Sequence, residues 1–334
     1  MNQWMNRGMK GLGIIIVLML ALAIYTYWDN QRIVVVEEEV KIDDLPSSLE
    51  GYTILQITDL HDKTFGEKQQ RLVETINAID YDAILLTGDM TANGFVDDYA
   101  PFYDILEGID NKEIALFSSG NSDPNSYTFG DDVYEETEFI KGMKSRGVNL
   151  LESVEEVQVG DASVNFVDFN MSSRDPEDSL AAIEAELANK ENNHASGLRQ
   201  HQKQLFEEMQ TLDYKDDQDV LIAVRHYPVL ESDFEFISNR DIGIQRDYDL
   251  IVAGHYHGGQ IRIPFYGALY IPEQRYPRRG YFPPQDRVKG LWEVNGFKQY
   301  VSAGLGHVDT IPLLSLRFFN PPEVNVLTLT KNRE

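Results

Sequence analysis

Cysteine is absent from all 334 residues. Disulfide staples, thiolate metal sites and a cysteine nucleophile are therefore excluded. Basic residues are scarce: 29 Lys and Arg stand against 55 Asp and Glu, a net charge of −26. So acidic a surface repels a phosphate backbone, and no nucleic-acid partner is expected. An anionic substrate has to be drawn in by something locally positive, such as a metal centre. Long apolar runs are scarce as well. There is one, at the N-terminus, which excludes a polytopic transporter. The rest is ordinary for a globular protein: 42% hydrophobic and 25% charged residues, enough to build a core. No repeat and no low-complexity tract interrupts it.

The apolar run is Gly11–Trp28, GLGIIIVLMLALAIYTYW, without a charge. As a helix it is roughly 27 Å long, enough to cross a bilayer core. Tyr25, Tyr27 and Trp28 close it with the aromatics that favour a membrane interface. Arg7 and Lys10 precede it; Asp29 and Glu37, Glu38 and Glu39 follow. The positive-inside rule then sets residues 1–10 in the cytoplasm, 11–28 as a signal-anchor, 29–44 as a juxtamembrane segment and 45–334 outside as one domain. The competing reading is a cleaved signal peptide with Ala21-Leu22-Ala23 at its end. The run continues past that point into the aromatics, which favours the uncleaved anchor.

Strand and helix signals alternate through the body. Extended runs are expected at Arg32–Ile42, Tyr52–Thr58, Ala83–Thr87, Ile114–Ser118, Val148–Leu151, Val220–Val224 and Leu250–Ala253. Val154–Val159 and Ser163–Asp168 read as a hairpin about Gly160-Asp161. Helical spacing marks Glu67–Ile79, Asp97–Gly108, Val133–Lys144, Asp175–Lys190 and Leu198–Met209. The tail Tyr300–Thr330 has β-type runs broken by Gly and Pro. The pattern predicts an α/β sandwich with two sheets.

Four of the seven histidines, His61, His226, His255 and His257, fall just after predicted strands. So do Asp59, Asp89 and Asn121. In open α/β sheets the site lies beyond the carboxyl ends of the strands. Five strand ends thus deliver seven oxygen and imidazole donors to one region. In an extended segment, residues i and i+2 point the same way, so Asp59/His61 and His255/His257 can each pinch one ion. Such donors suit Mn, Fe or Zn. Seven exceed one tetrahedral site and are enough for two metals sharing a bridging carboxylate. His194 and His201, in a polar helical region, read as solvated.

The series TDLH, LTGD, SGN, RHYP and GHYHGGQ resembles the calcineurin-like metallophosphoesterases. GHYHGGQIRIPFYGALYIPEQ and the later VSAGLG look like their membrane-anchored bacterial branch. The resemblance covers most of 50–330 and implies a four-layer αββα sandwich with a dinuclear metal site. It implies one divalent ion held by Asp59, His61, Asp89 and His257. A second would be held by Asp89, Asn121, His226 and His255, with Asp89 bridging. It further implies hydrolysis of a phosphoester by a hydroxide that the two metals activate. Lipid or cell-envelope phosphoesters are the substrates expected of that branch.

The family's third motif reads Gly-Asn-His followed by an acid, the His serving the leaving group. Here it reads Gly120-Asn121-Ser122-Asp123. A serine hydroxyl is no general acid near neutrality, and losing one costs about 10²–10⁴ in rate. Either the substrate carries a good leaving group, or another residue substitutes, His307 in GLGH being the candidate, or turnover is impaired. The first expectation is a membrane-anchored phosphoesterase, cleaving phosphodiesters or pyrophosphates in preference to monoesters. Its rival is a metal- and phosphoester-binding surface protein without turnover. A binding module with merely structural histidines is the third. Arg262, Arg275, Arg278 and Arg279 read as a solvated loop paired with carboxylates, or as phosphate contacts. The aromatic stretch Phe265–Tyr281 packs beside the site or rests on the membrane.

Overall fold

Strand Thr53–Ile57 (β2) shows how the core is divided. Ile54 joins one apolar layer, while Leu55 and Ile57 join another on the opposite face. Ala83–Leu86 (β3) alternates the same way, Ala83 and Leu85 against Ile84 and Leu86. A strand apolar on both faces is buried on both, so each sheet needs a cover on each side. The structure is a computed structural model; it describes residues 2–333 except 96–97, 130–133, 189–195, 215–218 and 309–315. His194 lies outside the described residues.

Two six-stranded sheets form. The first runs in the order β1 (Val34–Ile42), β16 (Glu323–Lys331), β2, β3, β4 (Ala115–Phe117), β7 (Asn149–Leu150). The second runs β14 (Gly290–Val294), β15 (Phe297–Val301), β11 (Leu250–Ala253), β10 (Asp219–Val224), β9 (Ala162–Asp168), β8 (Val154–Val159). Between them lies a core of Val40, Leu85, Phe166, Ile222, Val252 and Leu327, all under 2% exposed. Burying a side chain of this kind contributes roughly 1.5–3 kcal/mol. Helices α2 (Gln70–Asn77), α3 (Ala100–Gly108) and α4 (Glu138–Lys144) cover the outer face of the first sheet through Leu72, Phe102 and Phe139. On the second sheet, α5 (Phe169–Ser172) and α8 (Glu231–Ser238) pack through Phe169 and Phe234. The end of α7 (Ser196–Met209) joins them, and α6 (Pro176–Ala188) packs on α7. The result is the four-layer αββα sandwich.

The segment set apart as juxtamembrane is part of that sandwich. Over its whole length β1 pairs in parallel with β16, Val34 opposite Glu323 and Ile42 opposite Lys331. The apolar helix α1 runs from Asn2 to Gln31, and Met9–Gln31 is long and apolar enough to cross a membrane. Ile14, Val17, Leu18 and Leu20 on it are exposed. Its last turns are fastened to the body. Asn30 Nδ2 donates to the Arg317 carbonyl at 2.6 Å and Asn30 Oδ1 accepts from the Arg317 amide at 2.8 Å. The Tyr25 ring lies 5.1 Å from that of Phe319.

Other departures are local. The helix expected from Glu67 begins at Gln70, because Lys68 and Gln69 are left-handed. Hairpin β14–β15 lies outside the expected strands, although its Asn295-Gly296 turn, at φ 51° and 87°, carries a strong hairpin signal. Two short ribbons also form, β5 (Tyr127–Phe129) with β6 (Tyr134–Glu136), and β12 (Arg262–Ile263) with β13 (Gly267–Ala268). His201 is not solvated. It is half-buried, its Nε2 3.3 Å from Glu152 and its ring 4.9 Å from Tyr127.

Candidate metal centre

Strands β2, β3 and β4 are parallel, as are β9, β10, β11 and β15. Their carboxyl ends therefore fall at one end of each sheet. From β2 come Asp59 and His61, from β3 Asp89, from β4 Asn121. From β10 comes His226, and from β11 come His255 and His257.

Two groups result, each with its ligating atoms within 4.8 Å of one another: Asp59, His61 and His257, and Asp89, His226 and His255. All six side chains are buried. His257 Nε2 is 3.4 Å from Asp59 Oδ1, and His226 Nε2 is 3.2 Å from both Asp89 Oδ2 and His255 Nδ1. Asp89 Oδ2 is also 3.4 Å from His61 Nε2, so one carboxylate reaches both groups. Asn121 is exposed at their edge, and with His226 it borders a cleft of about 580 Å³ lined by Asn170, Met171, Arg225 and Tyr227. A cleft of about 570 Å³ walled by Glu37, Glu38, Glu39 and Asp80 lies elsewhere, beside the first residue of β2. Its charge suits no anion.

The donor set matches divalent cations on three observations. Asp59 Oδ1, buried between His61 and His257, accepts no hydrogen bond among the described residues. His226 Nδ1 lies 2.8 Å from the Thr87 carbonyl and His255 Nε2 3.3 Å from that of Pro272. Those bonds orient the two rings and turn His226 Nε2 and His255 Nδ1 toward the Asp89 carboxylate. The third is electrostatic. Burial pushes Asp59 up to about 7, with the Asp89 charge adding to it. Burial likewise lowers His255 to about 3 and holds His257 well below its ordinary value, so both imidazoles are neutral at pH 7. Burial opposes the charged forms of Asp89 and His226 too, but their mutual attraction wins: Asp89 falls, and His226 rises to about 9. A cation at the site would take over the role of the His226 proton.

The packing tolerates no extra atom here. A Cβ on Gly120 would lie 2.9 Å from Asp89 Cγ, and one on Gly254 2.6 Å from Asp59 Oδ2. Thr58 Oγ1 and the His255 amide both donate to Asp59 Oδ2, at 2.9 and 3.0 Å.

Three supporting residues escaped the sequence reading of the site. Asp123 accepts backbone N–H bonds from Asp89, Met90, Thr91 and Gly120 at 2.7–3.1 Å and so clamps β3's end to β4's. The acid after Ser122 was the available signal. Asn320 and the fully buried Arg317 hold the His257 carbonyl, at 2.7 and 3.3 Å. An arginine inside the apolar run LSLRFFN hinted at that. Ser122 faces the bridging position: its amide donates to Asp89 Oδ1 at 2.7 Å and its hydroxyl to Oδ2 at 3.2 Å. His307 is half-buried. Gly306 before it donates to the Asp59 carbonyl, and Val308 after it is tied to Gln260. Arg275 is paired with Glu273 and Asp233, and Arg262 donates to the Gly258 carbonyl.

Residues 52–259 match the family model of the calcineurin-like phosphoesterases. The chain is similar to the metallophosphoesterase YkuE of Bacillus subtilis (strain 168), 25% identical over 310 residues that cover 91% of this chain and 87% of that protein. Among solved structures it is similar to phosphopantetheinyl hydrolase PptH of Mycobacterium tuberculosis, at 12% identity and a TM-score of 0.37 over 77% of this chain and 91% of that one. It is also similar to the sulfate thiohydrolase SoxB of Thermus thermophilus, at 12% identity and a TM-score of 0.35 over 86% and 58%.

Proposed function

This chain belongs to the calcineurin-like phosphoesterase family and is a metallophosphoesterase, a hydrolase acting on ester bonds; we propose that it works from a membrane, anchored by α1 with its body outside the cytoplasm. Asp59, His61, Asp89 and His257 would hold one divalent ion, and Asp89, Asn121, His226 and His255 the other. Mn, Fe and Zn all suit this set. Two such ions, when bound, neutralise phosphoryl charge and acidify water. The protein's own part is placement. Thr58 and the His255 amide orient Asp59, the Thr87 and Pro272 carbonyls orient His226 and His255, and Asp123 fixes the loop that carries Asp89. The substrate phosphoryl enters by the cleft at Asn121, where Arg225 and Tyr227 line the wall.

Ser122 sets the substrate preference. Its hydroxyl is engaged with Asp89 and cannot protonate a leaving group near neutrality. Phosphodiesters and pyrophosphates are therefore favoured over monoesters, with His307 the candidate donor where a proton is needed. Lipid or cell-envelope phosphoesters are the substrate class. The observation that carries the reading is Asp89 within 3.4 Å of a histidine in each group. The test is Mn-dependent hydrolysis of an activated aryl phosphodiester by the detergent-solubilised chain, with Asp89→Asn as the blank. Turnover lost in that variant supports the reading. A folded, metal-loaded wild type without turnover replaces it with the non-catalytic phosphoester-binding protein.

A further inference from the structure

Large apolar side chains are exposed on the body in two ways. Val35, Phe95 and Phe236 stand apart in the chain, which is normal for a soluble surface, and Tyr227 belongs to the cleft wall. Ile263, Phe265, Tyr266, Tyr270, Tyr281 and Phe282 instead crowd one loop, each at least 39% exposed and Phe265 fully so. Their rings associate with each other, Tyr270 with Tyr281 at 4.9 Å and Tyr266 with Phe282 at 6.1 Å, and still face outward. The tip is built by the two-stranded ribbon β12–β13, with Phe265 left-handed at φ 67° in the turn. Arg278 and Arg279 are exposed in the same loop and make no ion pair among the described residues. In a chain of net charge −26 that is a local reversal of sign.

The loop adjoins both the apolar helix and the metal groups. Tyr25, near the end of α1, meets Phe319; Phe319 meets Phe318 at 4.6 Å; and the Arg262 amide, at the loop's start, donates to the Phe318 carbonyl at 2.9 Å. The loop leaves the His257 turn through Gly259 and Gln260. It returns to place the Pro272 carbonyl on His255 Nε2. It thus touches the segment packed on the helix end and one histidine of the second group.

We propose that residues 261–282 seat this face on an anionic lipid surface, so that the phosphoester reaching the metal groups is carried by a lipid held in that bilayer. Exposed aromatics favour the bilayer interface, and unpaired arginines favour anionic headgroups. The proposal rests on α1 being a membrane anchor.

The absence of cysteine permits a direct test in the full chain. Phe265→Cys, Leu18→Cys and Phe236→Cys each receive a nitroxide label, and the protein is reconstituted in vesicles of phosphatidylcholine with phosphatidylglycerol. Accessibility to oxygen against a nickel chelate then reports depth. Labels at 265 and 18 in lipid with 236 in water are the expected result. A label at 18 in lipid with 265 in water overturns the loop proposal and leaves the anchor standing. A label at 18 in water overturns both. In the same vesicles, Phe265→Ser/Phe282→Ser lowers turnover of an embedded lipid phosphodiester by about tenfold and leaves a soluble aryl diester unchanged. Equal loss on both substrates, or no loss on the lipid, overturns the proposal.

Discussion

Asp123 touches neither of the two groups' open positions, yet its replacement by asparagine should cost the protein most of its metal. Its Oδ2 accepts from the Asp89 and Gly120 amides at 2.7 and 2.8 Å, its Oδ1 from those of Met90 and Thr91 at 2.8 and 3.1 Å. The Asp123→Asn side chain would keep one oxygen and so two of these bonds, and would turn an N–H₂ toward the other two donors. Charge-assisted hydrogen bonds contribute about 1.5–3 kcal/mol each, so the loss is about 3–6 kcal/mol. It falls on the loop that aims Asp89 at both groups. Supporting residues of this kind typically change metal affinity by about 10–100-fold. Burial and the Asp89 charge raise Asp123 to about 6, so the comparison belongs at pH 7.5, where the carboxylate is ionised. Equilibrium dialysis of Asp123→Asn against graded Mn, with elemental analysis, reads the affinity; urea denaturation reads the stability. Unchanged metal affinity together with a destabilisation below about 1 kcal/mol would refute the clamp.

Ser122→His restores a proton donor at the leaving-group side and should raise hydrolysis of unactivated monoesters by about 10²–10⁴-fold while barely changing that of an activated diester; parallel rate measurements on the two substrates check it. Asp249, packed against the Leu221 amide, is pushed up to about 6 by burial, against about 3.9 in an unfolded chain. Its contribution to stability is full below about pH 4 and is lost as pH rises through 6, by at most about 3 kcal/mol. Asp249→Asn removes that dependence, so the wild type's stability relative to the variant should fall by up to this amount between pH 4 and 7 in urea titrations, and a constant difference counts against it. Mn at 1,000 times its dissociation constant should stabilise the wild type by about 4 kcal/mol for each ion bound and Asp89→Asn by much less, read from the shift in denaturation midpoint.

The fold was legible wherever a strand is buried on both faces. AILLT and LIVA carry their burial in their composition, and each ends at a chemistry-bearing residue. Strand Val34–Ile42 was legible as extended but not as part of the sheet. Its partner, Glu323–Lys331, lies almost the whole chain away, and no local pattern announces a parallel pairing of that separation. The six Asp and His of the two groups were legible because strand ends are a local property; the i, i+2 argument failed for His255 and His257, which left-handed backbone sends to different groups. Arg317 and Asn320 were not, because both act on the His257 carbonyl; Asp123 stood in the third motif, but its role did not show, because it acts on the backbone amides of 89–91 and 120.

Backbone conformation at the same residues explains why propensity alone would have misjudged them. Asp59, His61, Asp89, His255 and His257 have φ of 53°, 46°, 54°, 69° and 50°. Side chains with a Cβ rarely enter that region, at a cost of roughly 1–3 kcal/mol each. Glycine would remove the cost and also the ligand. The turn is needed because a strand running straight on would carry its side chain away from the sheet end, whereas a left-handed residue reverses the chain there. Backbone bonds hold the reversal, Asp59 N to the Gly88 carbonyl at 2.9 Å and His61 N to that of Asp89 at 3.0 Å. Buried like-charged carboxylates and strained backbone thus converge on one end of the sandwich. Divalent cations bound between Asp59 and Asp89 would offset the carboxylate repulsion, while the backbone bonds just named hold the left-handed residues in place. That is the sense in which this site breaks local rules on behalf of its chemistry.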